Sequence, residues 1–228
     1  MPDDEEKAVP SAAKQRLPRK IRANGERSRQ RILEAATHIA AERGYDGTSI
    51  ALVSERSGLP ASSIYWHYGD KDALIAAAIE HSFGEWLAGA TALPPATPGS
   101  TRAGRLVAMM QRTANGLKIS RVFLRLGMLL TLEHRDEERS ARRMFLQVRD
   151  EAYRRTVASF TELFPELDES AVRQLVTFSM AMTDGLFIAG EFDSNTVDIL
   201  GQSEMLAAAV LAAADHLSAS RPGPAVID

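Results

Sequence analysis

The segment from Ser62 to Leu74, SSIYWHYGDKDAL, combines aromatic rings, a histidine and a lysine in a chain that has only two tryptophans and four tyrosines. Tyr65 and His67 can hydrogen-bond phosphate groups through their polar tips while their rings pack on a helix. Lys71 falls in the first turn of the next helix, where its charge and the free backbone amides both attract a phosphate. The segment therefore has the chemistry of a phosphate-binding surface, although core aromatics, a satisfied imidazole and a surface lysine would give the same spacing.

The elements around this segment predict two short helices joined by a tight turn. Thr48 is the expected N-cap of the first short helix, which Ser57-Gly58 ends. Pro60 opens the second helix, at a position where proline is tolerated. Ile64 faces inward in this arrangement. The small core between the helices is expected to contain Val53, Ser54, Ser57, Leu59 and Ile64.

Two short helices with a glycine turn form a helix-turn-helix, which can place its second helix in the DNA major groove. Ala61, Ser62 and Ser63 are short, so the start of that helix can approach base edges closely, with hydroxyls able to bond several bases. Trp66 and Tyr68 are expected to face inward.

A basic stretch precedes these helices. Between Lys14 and Arg31 lie eight cations and one anion, a net charge of +7, although the whole chain has a formal charge of -3. Such an arm can bind phosphates or reach the minor groove, and a solvated tail is the alternative. Residues 1–24 contain three prolines and no apolar period, so disorder is expected there.

The rest of the chain predicts an all-α fold, because no alternating apolar pattern competes with helical spacing. A first amphipathic helix runs from Arg27 to Arg43 and Gly44 ends it; a fourth begins after Asp70 and stops before the proline-rich loop from Leu93 to Ser100. Five further helices are expected at about 101–116, 119–134, 137–164, 168–190 and 196–218.

Composition limits the remaining possibilities for this chain of 228 residues. The absence of cysteine excludes disulfides, thiolate zinc sites and thiol nucleophiles. No signal-like start or run of about 18 apolar residues is present. We therefore expect a soluble cytoplasmic protein with no membrane partner, no metal and no cofactor.

The segment from Gly44 to Ile79, GYDGTSIALVSERSGLPASSIYWHYGDKDALIAAAI, resembles the DNA-binding head of TetR-family transcriptional regulators. That family's pattern runs Gly-Phe/Tyr, Thr, a short helix, Gly-Val, Leu-Tyr-x-His-Phe and a Lys four places beyond the His. The resemblance covers roughly Arg27 to Phe83. It implies a three-helix DNA-binding head at 25–85, with the helix-turn-helix at about 49–68, and a helical effector-binding and dimerisation domain at 86–220. A basic arm at 1–24 and a frayed tail at 221–228 flank them.

The resemblance also implies which residues contact double-stranded operator DNA. Three positions depart from the family pattern: Pro60 replaces a capping serine, Ser54 stands where alanine is common, and Ser62 replaces a frequent glycine. An operator sequence borrowed from a relative is therefore unreliable. The implied DNA-binding residues are Thr48, Ala61, Ser62, Ser63, Tyr65, His67 and Lys71.

The C-terminal part contains every methionine except Met1, and methionine adapts to irregular apolar shapes. This composition permits a pocket for a small, largely apolar effector, and ordinary core filling is the alternative. Arg125 and Asp184 are polar residues inside apolar runs, where a ligand, an internal ion pair or a dimer contact would account for them. The candidate pocket residues are Trp86, Met110, Phe123, Met128, Phe178 and Met182.

The last two helices have apolar faces with small residues, which favour an intersubunit four-helix bundle and a homodimer. The residues expected on these faces are Val172, Leu175, Val176, Ser179 and Met182, with Met205, Leu206, Ala209, Val210 and Ala213. The function expected is that of a repressor released from a palindromic operator by its effector. A DNA-binding regulator without a ligand is the alternative. An enzyme is disfavoured, because the five histidines lack metal-binding spacing and no phosphate loop or nucleophile elbow occurs.

Overall fold

The computed structural model describes residues 19–119, 121–132, 139–193 and 197–220, and every regular element in these ranges is a helix. The all-α prediction is therefore confirmed over this part of the chain. The helices are α1 (Arg19–Gly47), α2 (Ile50–Ser57), α3 (Ala61–Tyr68), α4 (Lys71–Ala90), α5 (Arg102–Ile119), α6 (Arg121–Leu132), α7 (Ser140–Leu163), α8 (Glu169–Phe192) and α9 (Ser203–Ala219).

The first helix is longer than the sequence pattern predicts. α1 begins at Arg19, so residues 19–24 are helical and not part of a disordered arm. This correction has a physical reason, because the α1 sequence after Pro18 contains no further proline and its arginines and lysine are good helix formers. Residues 1–18, the rest of the predicted arm, lie outside the described residues. Gly44 breaks the helical geometry with a φ of 69° and a ψ of -174°, as predicted for its position.

The N-cap of α2 is Ser49 and not Thr48. The Ser49 hydroxyl accepts a hydrogen bond from the Leu52 amide at 3.3 Å. Thr48 is only 1% exposed, and its hydroxyl donates to the Gly44 carbonyl at 2.7 Å. Its buried side chain secures the turn between α1 and α2, so it is removed from the set of candidate DNA contacts.

A small core joins α1, α2, α3 and the start of α4. Ile32 and Ile39 from α1 meet Val53 of α2, Ile64 of α3 and Leu74 of α4, and all five side chains are buried. The inward orientation of Ile64 is therefore confirmed. This core fixes α3 against the other helices of the head.

Two further cores fill the remainder of the fold. One lies where α1 and α4 meet α5, α6, α7 and α8, and the other lies among α5, α7, α8 and α9. Within the first, Gly127 of α6 lies so close to the Phe145 ring that a side chain at position 127 would clash with it. α6 and α7 can therefore approach each other closely at this glycine.

The helices of the C-terminal part follow the predicted order with shifted ends. α5 continues through Gly116 to Ile119, because one glycine inside a helix costs only about 1 kcal/mol relative to alanine. α9 starts at Ser203, seven residues later than predicted, after a stretch of turns. The predicted boundary between residues 85 and 86 falls inside α4, which contributes side chains to both the head core and the neighbouring core.

Candidate nucleic-acid interface and effector cavity

The outer face of α3 is polar and aromatic. Ser62, Tyr65 and Trp66 are exposed, and Ser63 and His67 are partly exposed. Trp66 is 80% exposed, so the prediction that it faces inward is wrong. α3 has only eight residues, and its inward positions are taken by Ile64 and the partly buried Tyr68, which leaves Trp66 on the opposite side.

The turn before α3 is held by hydrogen bonds that set the direction of the helix. Gly58 ends α2 with a φ of 65°, a conformation that glycine adopts without steric cost. The Ser54 hydroxyl donates to the Leu59 carbonyl at 2.7 Å, and the Arg31 guanidinium donates to the Ser57 carbonyl. The serine at position 54, which departs from the family pattern, therefore stabilises this turn.

Lys71, the first residue of α4, lies beside Tyr45, which follows the kink at Gly44 in α1. Its Nζ is 4.5 Å from the centroid of the Tyr45 ring and 3.5 Å from the Asp46 carbonyl oxygen. These contacts hold the ammonium group against the C-terminal end of α1. The His67 ring packs edge-on against the Trp66 ring, with centroids 4.6 Å apart.

Asp72 connects the head to the start of α7. Its carboxylate accepts hydrogen bonds from the backbone amides of Ser140 at 2.6 Å and Ala141 at 3.3 Å, and from the Tyr45 hydroxyl at 3.1 Å. The position preceding α7 is Arg139, whose side chain makes no cap hydrogen bond. An acidic residue from α4 therefore supplies the cap of a helix that begins 68 residues later.

Tyr45 lies at the centre of this contact between α4 and α7. The Arg139 guanidinium carbon is 3.8 Å from the centroid of its ring, and Arg139 also pairs with Asp46 at 3.5 Å. Burial and the negative charge of Asp72 raise the pKa of Tyr45 to about 12, against the opposing charge of Arg139. Sequence reasoning missed this cluster, because Tyr45 and Arg139 are 94 positions apart and no local spacing brings the members together.

A cavity lies among α4, α5, α6, α7 and α8. It offers about 70 Å³ to the centres of water molecules. Its lining residues are Phe83, Thr91, Met109, Met110, Thr113, Leu117, Leu124, Val148, Arg149, Ala152, Thr156, Ser179, Met180, Thr183 and Asp184. Of the predicted pocket residues, Met110 contributes to this wall.

The other predicted pocket residues do not line the cavity or cannot be assigned. Met128 packs against the core between α1 and α7, and Met182 packs against the core that contains α9. Phe178 is exposed on the outer side of α8. These three differ from the prediction because composition identifies apolar residues but not the side of the helix on which they fall. The side chains of Trp86 and Phe123 lie outside the described residues.

The two charged residues embedded in apolar runs have different surroundings. Asp184 accepts two hydrogen bonds from Arg149 of α7, at 3.0 and 2.6 Å, so an internal ion pair accounts for it at the cavity wall. Arg125 is exposed and lies 4.0 Å from Glu191, outside the cavity. Within the described ranges, no cluster of three or more histidine, aspartate or glutamate side chains could hold a metal ion.

The apolar residues proposed for a dimer face are mostly inside the protomer. Val172, Leu175 and Val176 of α8 are buried in the core shared with α9, and Ser179 is buried at the cavity wall, which corrects the predicted face. Leu206 and Val210 of α9 are buried in the shared core too, because these two helices pack on each other through the apolar sides that the sequence pattern identifies. The solvent-exposed side of α8 and α9 carries a second stripe of apolar and small residues. It consists of Phe178, Ala181, Gly185, Ile188 and Phe192 on α8 and Met205, Ala208 and Ala212 on α9.

Among the described helices, α8 alone has the length and the mean hydropathy, 1.2 over its most apolar window, that a bilayer crossing requires. Only 28% of that window is buried, because of the exposed stripe. One helix of this weak apolarity does not indicate a membrane protein.

Comparisons with known proteins agree with the helix-turn-helix arrangement. Residues 32–78 match the family described as bacterial regulatory proteins, tetR family. The repressor AcnR of Corynebacterium efficiens is 42% identical over 50 residues, which are 22% of this chain and 27% of AcnR. The regulator BetI of Paraburkholderia phymatum is 24% identical over 170 residues, which are 75% of this chain and 84% of BetI.

Solved structures share the fold over most of this chain at low identity. A TetR-family regulator from Streptomyces coelicolor superposes with a TM-score of 0.66 and 14% identity, covering 85% of both chains. A TetR-family regulator from Mesorhizobium loti gives a TM-score of 0.60 and 21% identity, covering 82% of this chain and 96% of that one.

The fold and the head thus define a helix-turn-helix DNA-binding protein with a second helical part. Residues 32–78 match the tetR family of bacterial regulatory proteins, and the fold is similar to that of solved TetR-family regulators. Its matched relatives are named as regulators, in agreement with the prediction that it is not an enzyme.

Proposed function

We propose that the protein is a cytoplasmic homodimeric repressor that binds a palindromic operator and is released by a small, largely apolar effector. The observation that carries this proposal is a pair of features on connected helices. α3 turns polar and aromatic side chains to solvent, and a cavity lies against α4, the helix that holds the end of α3.

The proposed DNA surface comprises the outer face of α3 and the start of α4. Ser62 and Ser63 offer hydroxyls to base edges near the N-terminus of α3, where a recognition helix contacts bases. Tyr65, His67 and Lys71 contact the sugar-phosphate backbone, and Ala61 permits close approach. Trp66 is added to this surface because its ring is exposed beside them.

Replacing Lys71 by alanine tests the backbone contact. The change removes one phosphate neutralisation, so affinity for specific and random duplexes should fall together and the salt slope should decrease by about one. Lys118 is an exposed lysine in the last turn of α5 and provides the matched control. Lys118→Ala should leave both quantities unchanged, and an unchanged slope for Lys71→Ala would remove Lys71 from the interface.

The proposed dimer uses the exposed stripe of α8 and α9. Phe192 is 87% exposed in the protomer, and a monomer would leave the whole stripe in water. Small residues at Ala181, Gly185 and Ala208 allow the helices of two copies to approach closely. A two-fold dimer presents the same patch from both subunits, so its two α3 helices would read a palindrome.

The proposed effector acts through α4 and α7. Phe83 of α4 and four residues of α7 line the cavity, and Asp72 of α4 caps α7. A ligand that binds more tightly to the dimer conformation with one separation of the two heads shifts the population toward that conformation. Release from DNA follows when the preferred separation does not match the operator.

Selection of sites from random duplexes by the full chain, followed by sedimentation, tests this function. A dimer that selects a palindrome supports it, and a monomer that selects a non-palindromic site contradicts it. A compound screen then scores cavity binding and DNA affinity separately. Tight cavity ligands that never change DNA affinity would favour a DNA-binding regulator without an effector.

A further inference from the structure

We propose that the cavity selects an uncharged molecule with an apolar body and one hydroxyl or amide donor, such as a small alcohol. This inference rests on the effector function proposed above. About 70 Å³ is open to the centres of water-sized molecules, which is more than the roughly 10–15 Å³ that one water needs. The ligand therefore has a small body, comparable to a single ring with a short substituent.

The charges at the cavity wall are already balanced. Arg149 and Asp184 join through two hydrogen bonds along the seam between α7 and α8. A carboxylate entering the cavity would meet the Asp184 charge, and an ammonium would meet the Arg149 charge. Either ion must disrupt the pair or remain without a counter-charge in a partly buried site, and both options cost free energy.

The hydroxyl groups along the same seam favour a ligand that donates a hydrogen bond. Thr156 donates to the Ala152 carbonyl at 2.8 Å, and Thr183 donates to the Ser179 carbonyl at 2.9 Å. Each hydroxyl therefore already donates its only hydrogen bond and can still accept one through its oxygen lone pairs. A ligand hydroxyl or amide N–H can satisfy these acceptors, whereas a carboxylate has no proton to offer.

Ser179 supplies a further polar group on the α8 wall. It lines the cavity and is 4% exposed, and no residue in the described ranges hydrogen-bonds its hydroxyl. A serine hydroxyl can both donate and accept, so a ligand with a polar group can hydrogen-bond it at the cavity wall. The opposite wall is apolar, with Phe83, Met109 and Leu117, and fits the ligand body.

Calorimetry of the full-length protein with benzyl alcohol, toluene, benzoate and benzylamine tests the selection. These probes share one ring and differ in charge and in the donor. Benzyl alcohol should bind at least about tenfold more tightly than benzoate or benzylamine, and about threefold or more tightly than toluene. Equal or tighter binding of either ion, or no binding of any probe at millimolar concentration, overturns the proposal.

Two variants identify the groups responsible. Ser179→Ala should weaken benzyl alcohol about threefold to tenfold and leave toluene unchanged, whereas Ser218→Ala on the exposed side of α9 should change neither. Asp184→Asn leaves the Arg149 charge unbalanced, so benzoate should gain about tenfold in affinity. An equal loss of alcohol and toluene binding in Ser179→Ala, or no gain for benzoate in Asp184→Asn, contradicts the assignment.

A DNA-binding measurement with benzyl alcohol present separates the two proposals. If the alcohol is selected as predicted but DNA affinity does not change, the inferred cavity chemistry is supported and the proposed effector response fails. If ions bind preferentially and release DNA, the response is supported and the inferred ligand class fails.

Discussion

Trp66 is a large ring held in water on the outer side of a short helix whose opposite side is anchored by Ile64. Exposing an indole gives no stability to the protomer, so its contribution lies in contacts with another molecule. The adjacent serine, tyrosine and histidine side chains lie on the same face, which is the proposed DNA surface.

Trp66→Ala should leave the free energy of unfolding within about 0.5 kcal/mol of the parent value, since exposed substitutions rarely cost more. DNA affinity should fall about tenfold, which corresponds to roughly 1.4 kcal/mol. Ile64→Ala provides the contrast, because emptying the core position should cost about 2–5 kcal/mol of stability. Denaturant titration and fluorescence anisotropy distinguish the two effects, and unaltered DNA affinity in Trp66→Ala would place the ring outside the interface.

Tyr45 makes the fold sensitive to alkaline pH. Its pKa of about 12 in the native protein lies above the ordinary value of 10, so the native state holds this proton more tightly than the unfolded state. The resulting stabilisation is complete below pH 10 and is lost as the pH rises toward 12. Burial also raises the pKa of Tyr68, so comparison with a Tyr45 variant is needed to isolate Tyr45.

Tyr45→Phe should reduce stability by about 1 kcal/mol at pH 8, because it removes the hydrogen bond to Asp72. The parent and variant curves should converge between pH 10 and 12, where only the parent loses the Tyr45 contribution. Urea titrations at several pH values give these curves. A constant difference across that range would show that Tyr45 does not titrate as described.

Local sequence signals largely predict where the helices begin and end. They do not predict which helix packs against which face. Gly44, Gly58 and the proline-rich loop after α4 give the correct breaks, because backbone preferences act locally. The inward side of α8 is correctly apolar, yet periodicity cannot tell a face buried in the protomer from one that awaits a second copy. For Asp184, the sequence alone left a ligand, an internal ion pair and a dimer contact as possible explanations. The ion pair with Arg149 could not be predicted, because its two residues lie on different helices.

The cap of α7 by a side chain from α4 can be tested at both helices. Asp72→Ala should cost about 1–2 kcal/mol of stability and speed amide exchange at Ser140 and Ala141. DNA affinity should also fall, because a head that is held less firmly must be ordered on binding. Asp168→Ala removes a similar cap, the bond from the Ala171 amide, at the start of α8. That control should lose stability without losing DNA affinity, and identical behaviour of the two variants would exclude a special role for Asp72.

For the whole molecule, the exposed stripe on α8 and α9 predicts how assembly responds to charge. Ala181 lies in the middle of the stripe, and Ala158 is an exposed alanine on a different helix, α7. Ala181→Arg should raise the dimer dissociation constant at least about 100-fold, roughly 2.7 kcal/mol, since an arginine would be buried against its symmetry mate. Ala158→Arg should remain dimeric. Sedimentation velocity across a dilution series measures both, and a fully dimeric Ala181→Arg protein would exclude this surface.

The position of Asp72 has a consequence for building hybrid regulators. A hybrid in which the head is replaced up to residue 85 would have its junction inside α4. This junction would separate side chains that pack in one core. Even an exchange made beyond α4 would give Asp72 a foreign helix to cap and would leave the native α7 with uncapped amides. The head is therefore interchangeable only with proteins whose seventh helix starts at the same place, or when the first turn of α7 is transferred with it.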